Sequence, residues 1–360
     1  MAKQSILDSR DEIKKLDMSN VLGSVEKLPD QIEDAWGATK QIQVPPSYKE
    51  VKQIVVSGMG GSALGAKVIK TLYKSSLKVP FEVVNHYELP TYVGSDTLVV
   101  LSSYSGTTEE TLASAEDAKK RGAKLAVICA GGKLAEFAKK EECPAYIIDP
   151  KYNPSNQPRM AIGYSVFGQL GLFHAMGLIE LGDDDVAKVV ALLRTNAKNL
   201  VPESVDHNTA KFLAYAAVDK MLVLISAEHL EGAAHAFNNQ LNENAKNLTA
   251  EALIPELNHH YLESLSSPIH MKDGVLFFFI DSGLYHPRVQ ARFPITLDVV
   301  EKNGFHGEMI RAVAKTKLEQ VWEIIQLGAY TNFYLAMLNG INPAPIPWVD
   351  YFKEQLAKVK

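Results

Sequence analysis

Apolar residues between positions 4 and 40 recur at helical spacing, as Ile6, Ile13, Leu16 and Met18, then Val25, Leu28, Ile32 and Trp36. Pro29 interrupts this run, and Pro45 and Pro46 end it. From Val51 the pattern changes to short apolar, β-branched runs separated by turns and amphipathic stretches. It predicts strands at 53–57, 81–85, 98–102, 125–129 and 145–148, with helices at 66–73, 109–121 and 133–140. Strands alternating with helices imply a doubly wound parallel sheet, the α/β class, with ligands beyond the carboxyl ends of the strands. A Pro/Asn-rich connection, KYNPSNQPRM, follows at 151–160, and residues 161–200 read as a helical bridge. A second α/β run starts near Thr209, with strands at 221–226 (MLVLIS) and 275–280 (VLFFFI) and a short apolar run at 252–256. A helix crowded with asparagine is expected at 230–248, a weak strand at 309–313, a long apolar helix at 318–338 and a last helix at 348–359. At 288–303 periodicity does not decide between helix and strand.

The chain's 360 residues suit two domains. The expected division is a helical lead-in at 1–46, a first α/β unit at 47–155 and a helical bridge at 156–205. A second α/β unit follows at 206–345 and a C-terminal helix at 346–360. The two similar units suggest an old repeat, although no strong sequence periodicity shows it.

Chemistry concentrates where two strands end. Residues 97–112, TLVVLSSYSGTTEETL, read as strand, hydroxyl-rich turn and helix start, gathering Ser103, Ser105, Thr107 and Thr108. Such a turn at a helix N-terminus is suited to phosphate. The competing reading is a capping box between Thr107 and Glu110 that needs no ligand. The turn at 58–65, GMGGSALG, resembles a dinucleotide fingerprint with Ala63 in the third glycine place. That reading needs an acidic residue after the second strand, and Asn85 and His86 stand there instead. Gly60 and Gly61 with Ser62 better fit close backbone approach to a phosphorylated sugar, or simply a tight strand–helix junction. No Gly-x-x-x-x-Gly-Lys-Ser/Thr run is present, and hydroxyls without metal ligands suit a sugar phosphate held without magnesium.

Four further positions have two readings each. Arg159 is either a surface ion-pair residue or fixed positive charge beside an anion. The polar run 238–247 is either a solvated helix face, with Glu243 and Lys246 paired at i,i+3, or the seat of a carboxylate base. His259 and His260, after Glu256, suggest either a metal site or proton transfer near neutral pH; no second cluster with ligand spacing supports metal. Lys353 in the last helix is either solvated or functional.

The net charge of −5 without a basic stripe makes nucleic acid an unexpected partner. Cys129 and Cys143 form no CxxC, which suggests a reducing compartment. The charged N-terminus does not read as a signal peptide, and no apolar run approaches the ~18 residues of a membrane span. The expectation is a cytoplasmic protein without membrane association.

Taken together, SGMGGSALG, SSYSGTTEET, QPRMAIGYS, ISAEHLEGAAHAFNNQLNENAK, IPELNHH and LNGINPAPIPWVDYFK resemble the bifunctional phosphoglucose/phosphomannose isomerase family of the sugar isomerase (SIS) superfamily, over nearly the whole chain. The resemblance implies two SIS subdomains, a homodimer with shared active sites, and no cofactor or metal. It implies interconversion of glucose 6-phosphate, and of mannose 6-phosphate, with fructose 6-phosphate through a cis-enediolate. Ser62, Ser103, Ser105 and Thr108 would hold the phosphate, with Gly60 and Gly61 beside the substrate. Arg159 matches the arginine that steadies the enediolate, Glu243 the base, and His259 a ring-opening histidine supplied by the partner subunit. Lys353 matches a lysine that assists ring opening. His260 stands where some relatives carry Asn. Ile346 stands where some carry a threonine linked to use of mannose phosphates. Another SIS isomerase, acting on a pentose or amino-sugar phosphate, and a non-enzymatic sugar-phosphate sensor are the alternatives.

Overall fold

In the computed structural model, residues 5–359 are described. Residues 1–4 and 360, part of the expected lead-in and last helix, lie outside the described residues. The lead-in forms three helices, α1 (Arg10–Leu16), α2 (Val21–Glu26) and α3 (Leu28–Thr39). Pro29 sits in the first turn of α3, where its missing N–H costs nothing, so it starts this helix instead of breaking one. A first run of β1 (Gln53–Gly58), α4 (Gly61–Leu72), β2 (Phe81–Val84), β3 (Thr97–Ser102), α5 (Glu109–Lys120), β4 (Lys124–Cys129), α6 (Gly132–Lys140) and β5 (Ala145–Ile147) follows. Its strands form a parallel sheet in the order β2-β1-β3-β4-β5. The central strands are buried on both faces, as parallel strands under helices must be.

The bridge is α7 (Ile162–Ala175) and α8 (Asp183–Ala197). Nearly every residue of α7 is buried, because it lies between α3 and α4 and beneath the first sheet. The second run is α9 (Thr209–Ala217), β6 (Met221–Ser226), α10 (Glu231–Glu243), β7 (Thr249–Leu253), β8 (Val275–Ser282), α11 (Pro287–Lys302), β9 (His306–Ala312) and α12 (Lys317–Leu338). It forms a second parallel sheet, ordered β7-β6-β8-β9. Helix α13 (Pro347–Leu356) ends the chain and has no buried residue. The helices α4, α7, α10 and α12 pack on one another between the two sheets and carry most of the core. Among the described residues no helix is long and apolar enough to cross a membrane.

Several boundaries differ from expectation: β9 starts at His306 instead of 309, α13 ends at Leu356 instead of 359, and three further differences lie nearer the functional residues. α4 starts at Gly61, so the first turn is only Met59–Gly60. α10 stops at Glu243 instead of 248, and β7 occupies 249–253, ahead of the apolar run expected at 252–256. The undecided stretch 288–303 is helical, with Pro287 in its first turn.

Candidate active site

The register aligns Gly58 at the end of β1 with Ser102 at the end of β3, so the two turns leave the sheet side by side. They are sewn together by hydrogen bonds. Ser62 Oγ accepts from the Tyr104 N–H at 2.9 Å, and Ser102 Oγ donates to the Ser62 carbonyl at 2.8 Å. Ser103 Oγ and Thr108 Oγ1 lie 2.8 Å apart, and Ser105 Oγ accepts from Thr107 Oγ1 at 3.0 Å. Gly106 has φ +67° and lies so close to the Gly131 carbonyl that no side chain fits there. The capping box between Thr107 and Glu110 does not form: Thr108 is the N-cap of α5, and the helix takes no side-chain cap. Its first N–H groups are left without a side-chain acceptor and can face an anion beside the hydroxyls.

Arg159 is brought to these turns by Gly61. A Cβ on Gly61 would stand 2.9 Å from the Arg159 nitrogen, so only glycine lets the short helical turn Pro158–Met160 approach this closely. Tyr104 pins the same connection, accepting from Asn153 Nδ2 at 3.1 Å and donating to Asn156 Oδ1 at 3.0 Å.

Arg159 is not a surface residue; it is 1% exposed. A guanidinium has five N–H donors. Here Nε donates to Asn244 Oδ1, and Nη1 donates to Gln157 Oε1 at 2.9 Å and to Glu243 Oε2 at 3.2 Å. Nη2 donates to the carbonyls of Pro343 (2.9 Å) and Ala344 (2.8 Å), so every donor is engaged. Burial works against the Arg159 charge and Glu243 works for it; the group stays protonated at any working pH. The supporting shell is a closed set of amides. Asn244 Nδ2 donates to Asn332 Oδ1 (2.7 Å), Asn332 Nδ2 to Gln240 Oε1 (3.1 Å), and Gln240 Nε2 to the Arg159 carbonyl (3.1 Å).

Glu243 is the last residue of α10, part-exposed, with one carboxylate oxygen on Arg159 and the rest toward solvent. It does not pair with the Lys246 ammonium. Lys246 Nζ donates instead to the Glu243 backbone carbonyl at 2.6 Å and to the Pro343 carbonyl at 3.0 Å.

One chain thus brings together Gly60, Gly61, Ser62, Ser103, Ser105, Thr108, Arg159 and Glu243. His259, His260 and Lys353 stand apart from them. α10 runs back along its sheet, so that Asn247 beyond it bonds the Lys220 carbonyl before β6 (3.0 Å), while Ile254 after β7 bonds the Ser226 carbonyl at the other end of β6 (2.9 Å). His259, in the turn Glu256–His259, therefore lies at the opposite edge from Glu243, roughly 15–20 Å away along the strands. His260 pairs with Glu256 at 3.0 Å. Lys353 projects from the uncovered α13. Among the described residues no group of three or more His, Cys, Asp or Glu side chains is placed to hold a metal ion.

Gln157, Gln240, Asn244 and Asn332 were not singled out from the sequence. Only Asn332 carried a signal of its own, an amide inside the apolar helix α12, since a buried amide requires a partner; Gln240 and Asn244 lie in the polar run 238–247, where composition suggested a solvated face.

Residues 47–152 match the SIS domain family, and residues 206–356 match the bacterial phospho-glucose isomerase C-terminal SIS domain. The chain is 36% identical over 342 residues to a bifunctional phosphoglucose/phosphomannose isomerase of Caldicellulosiruptor bescii, spanning 94% of this chain and 99% of that one. It is 30% identical over 308 residues to the protein of the same name from Aquifex aeolicus, spanning 85% and 91%. In structure it resembles a hypothetical protein from Thermus thermophilus, with a TM-score of 0.73, 21% identity, and 96% and 91% of the two chains covered. It also resembles the C-terminal domain of glucosamine-fructose-6-phosphate aminotransferase from Francisella tularensis, with a TM-score of 0.68, 14% identity, and 91% and 98% covered. These two structures share the fold.

Proposed function

The chain belongs to the bifunctional phosphoglucose/phosphomannose isomerase family, and on that premise we propose how its residues carry out the reaction. It is an aldose–ketose isomerase that interconverts glucose 6-phosphate and mannose 6-phosphate with fructose 6-phosphate. The two aldoses differ only at C2 and share one cis-enediolate.

The phosphate sits on Ser62, Ser103, Ser105 and Thr108, where hydroxyls and the N-termini of α4 and α5 converge. Ser103, Ser105 and Thr108 exchange their present bonds to neighbouring hydroxyls for bonds to its oxygens, and Ser62, which accepts from the Tyr104 N–H, donates its own proton to it. The sugar then runs past Gly60 and Gly61 toward Glu243. The Glu243 carboxylate takes the C2 proton of the open-chain aldose. The C2–H electron pair becomes the C1–C2 double bond, and O1 takes the negative charge. Glu243 returns the proton to C1, a carbonyl forms at C2, and the hydroxyl proton passes from O2 to O1. Arg159 acts from beneath. With all five donors engaged it offers no free N–H; it aims the Glu243 carboxylate and supplies fixed positive charge to the enediolate without reorganising.

Ring opening is assigned to His259 of a second copy, with Lys353 assisting. The separation of His259 from Glu243 in one chain supports a homodimer whose sites are each built from both copies. The uncovered α13, with Trp348 81% exposed and Phe352 beside Lys353, supports the same reading.

The observation that carries the mechanism is the pairing of part-exposed Glu243 with wholly buried Arg159 directly against the Gly61–Ser62 turn. The test is a coupled assay with glucose, mannose and fructose 6-phosphates on wild type and Glu243→Gln, beside a binding titration with inorganic phosphate. Both aldoses are turned over by wild type. The variant loses about 10²–10⁴-fold in kcat with phosphate affinity kept. Full activity in Glu243→Gln overturns the assignment of the base.

A further inference from the structure

Lys246 has no place in the mechanism above, yet its geometry is unusual. It lies three residues beyond Glu243 with φ +55°, in the left-handed region that a side chain with a Cβ rarely adopts. A helix end of this kind is ordinarily closed by glycine or asparagine. The left-handed turn folds the Lys246 side chain back over the end of α10. Its ammonium there takes up the Glu243 carbonyl, one of the last helix carbonyls that has no partner within the helix. The same ammonium donates to the Pro343 carbonyl, which also accepts from Arg159 Nη2. Two cations therefore converge on one oxygen, and one of them, Arg159, also holds the Glu243 carboxylate at 3.2 Å.

We propose that Lys246 is a positioning residue for the isomerisation, a charged strut that joins the carbonyl ending the Glu243 helix to the carbonyl that clamps Arg159. The proposal rests on the roles given above to Glu243 and Arg159. Through this strut the end of α10, the Pro158–Met160 turn and the Pro343–Ala344 segment leading to α13 keep one relative geometry. The strut also adds a second positive charge beside the place where the enediolate forms, and a left-handed lysine is kept there for its side chain.

The strut is strongest while the ammonium is charged. The residue as a whole is exposed, and the loss of water where its ammonium meets the two carbonyls brings its pKa down to about 8, with the Arg159 charge acting in the same direction and Glu243 opposing. Glu243 from its own helix end and Arg159 from the Pro158–Met160 turn are the charged groups that face it; the Pro343–Ala344 segment presents only carbonyls. Above that pH the group loses its charge, so turnover declines on the alkaline side while substrate binding, which rests on the hydroxyl turns and not on Lys246, does not.

The test compares Lys246→Gly, Lys246→Arg and Glu243→Gln with wild type. Glycine suits the left-handed backbone, so Lys246→Gly keeps or raises the melting temperature and isolates the side chain's role. Its kcat falls about 10- to 100-fold with KM for fructose 6-phosphate changed by less than about threefold. Lys246→Arg restores most of kcat, and its alkaline limb moves to higher pH than the limb of wild type near pH 8. Wild-type kcat in Lys246→Gly, or an unmoved alkaline limb in Lys246→Arg, overturns the proposal. If Glu243→Gln is inactive in that experiment, the role of Lys246 alone has failed; if Glu243→Gln is active, the reading of the site has failed with it.

Discussion

Replacing Arg159 with lysine keeps the charge and takes away donors, and the structure sets the cost. Five acceptors surround the guanidinium: Asn244 Oδ1, Gln157 Oε1, Glu243 Oε2 and the carbonyls of Pro343 and Ala344. An ammonium has three N–H bonds, so at least two acceptors lose their partner. The Pro343 oxygen retains Lys246, but Asn244 and Ala344 are buried, and water does not replace the lost donors there. Each buried acceptor left unpaired costs about 1–3 kcal/mol, so Arg159→Lys should destabilise by about 2–6 kcal/mol. That is a large share of the ~5–15 kcal/mol that holds an ordinary domain together. Arg159→Met takes its donor from all five acceptors, of which only the Pro343 oxygen keeps another, leaves Glu243 without its cation, and should be worse. Urea unfolding followed by both fluorescence and circular dichroism measures the midpoint shift and shows whether the two lobes unfold together. A loss below about 0.5 kcal/mol for Arg159→Lys, the range of ordinary surface changes, or a smaller loss for Arg159→Met than for Arg159→Lys, would refute this accounting of the buried donors.

Three other expectations follow from the same geometry. Gly61→Ala puts a methyl group 2.9 Å from the Arg159 nitrogen; it should cost about 1–3 kcal/mol in unfolding experiments and raise KM by forcing the phosphate turn from the arginine, and unchanged kinetics would show that the close approach is not needed. Mixing Glu243→Gln with His259→Gln, each inactive alone, should recover roughly a quarter of wild-type sites after subunit exchange, since half of the dimers are mixed and each mixed dimer holds one intact site; no recovery, with exchange shown by mass, would place His259 and Glu243 in the same copy. Burial holds the His229 imidazole below its usual pKa, with Nε2 2.9 Å from Gln320 Oε1. The unfolded chain takes up that proton near pH 6.5 and the folded one resists it, so the stability that neutral His229 contributes is present above about pH 6.5 and is lost as pH falls below it. The melting temperature of His229→Asn should fall less steeply than that of wild type between about pH 7 and pH 5, and parallel slopes would exclude His229 as the source.

The central strands were legible because β-branched runs such as QIVVSG and TLVVLS are buried on both faces, and a continuous apolar run of that length has few other readings. β7 was misplaced for the opposite reason. TAEAL is a half-buried edge strand with a glutamate at its centre, and the more apolar residues just after it drew the assignment forward. The two hydroxyl turns were legible because strand end, small residues and helix start lie together in sequence. The polar run 238–247 was open to the wrong reading. Composition makes it look solvated, yet Asn238, Gln240 and Asn244 are buried, and contacts with Arg159 and with Asn332 of α12 give Gln240 and Asn244 their partners. The burial of Arg159 was equally hidden, since its acceptors come from segments centred on 157, 243 and 343 that no local window contains.

What could not be read locally is also what makes the site. The hydroxyl turns belong to the first sheet's unit and the Glu243 carboxylate ends a helix of the second, so neither unit alone holds both the proposed phosphate site and the proposed base. Between them stands one guanidinium whose acceptors come from both sides. A buried arginine of this kind contributes little net stability beyond its own desolvation, because an apolar side chain of similar volume would pack as well if its acceptors were replaced too. It holds an angle: five donors in a rigid plane permit one arrangement of five acceptors, and a sliding apolar contact would permit many. On the proposed mechanism, proton transfer between adjacent carbons requires the Glu243 carboxylate to reach both from a fixed point relative to the anchored phosphate. A directional polar joint between the two units meets that requirement where packing alone would leave the distance free to drift.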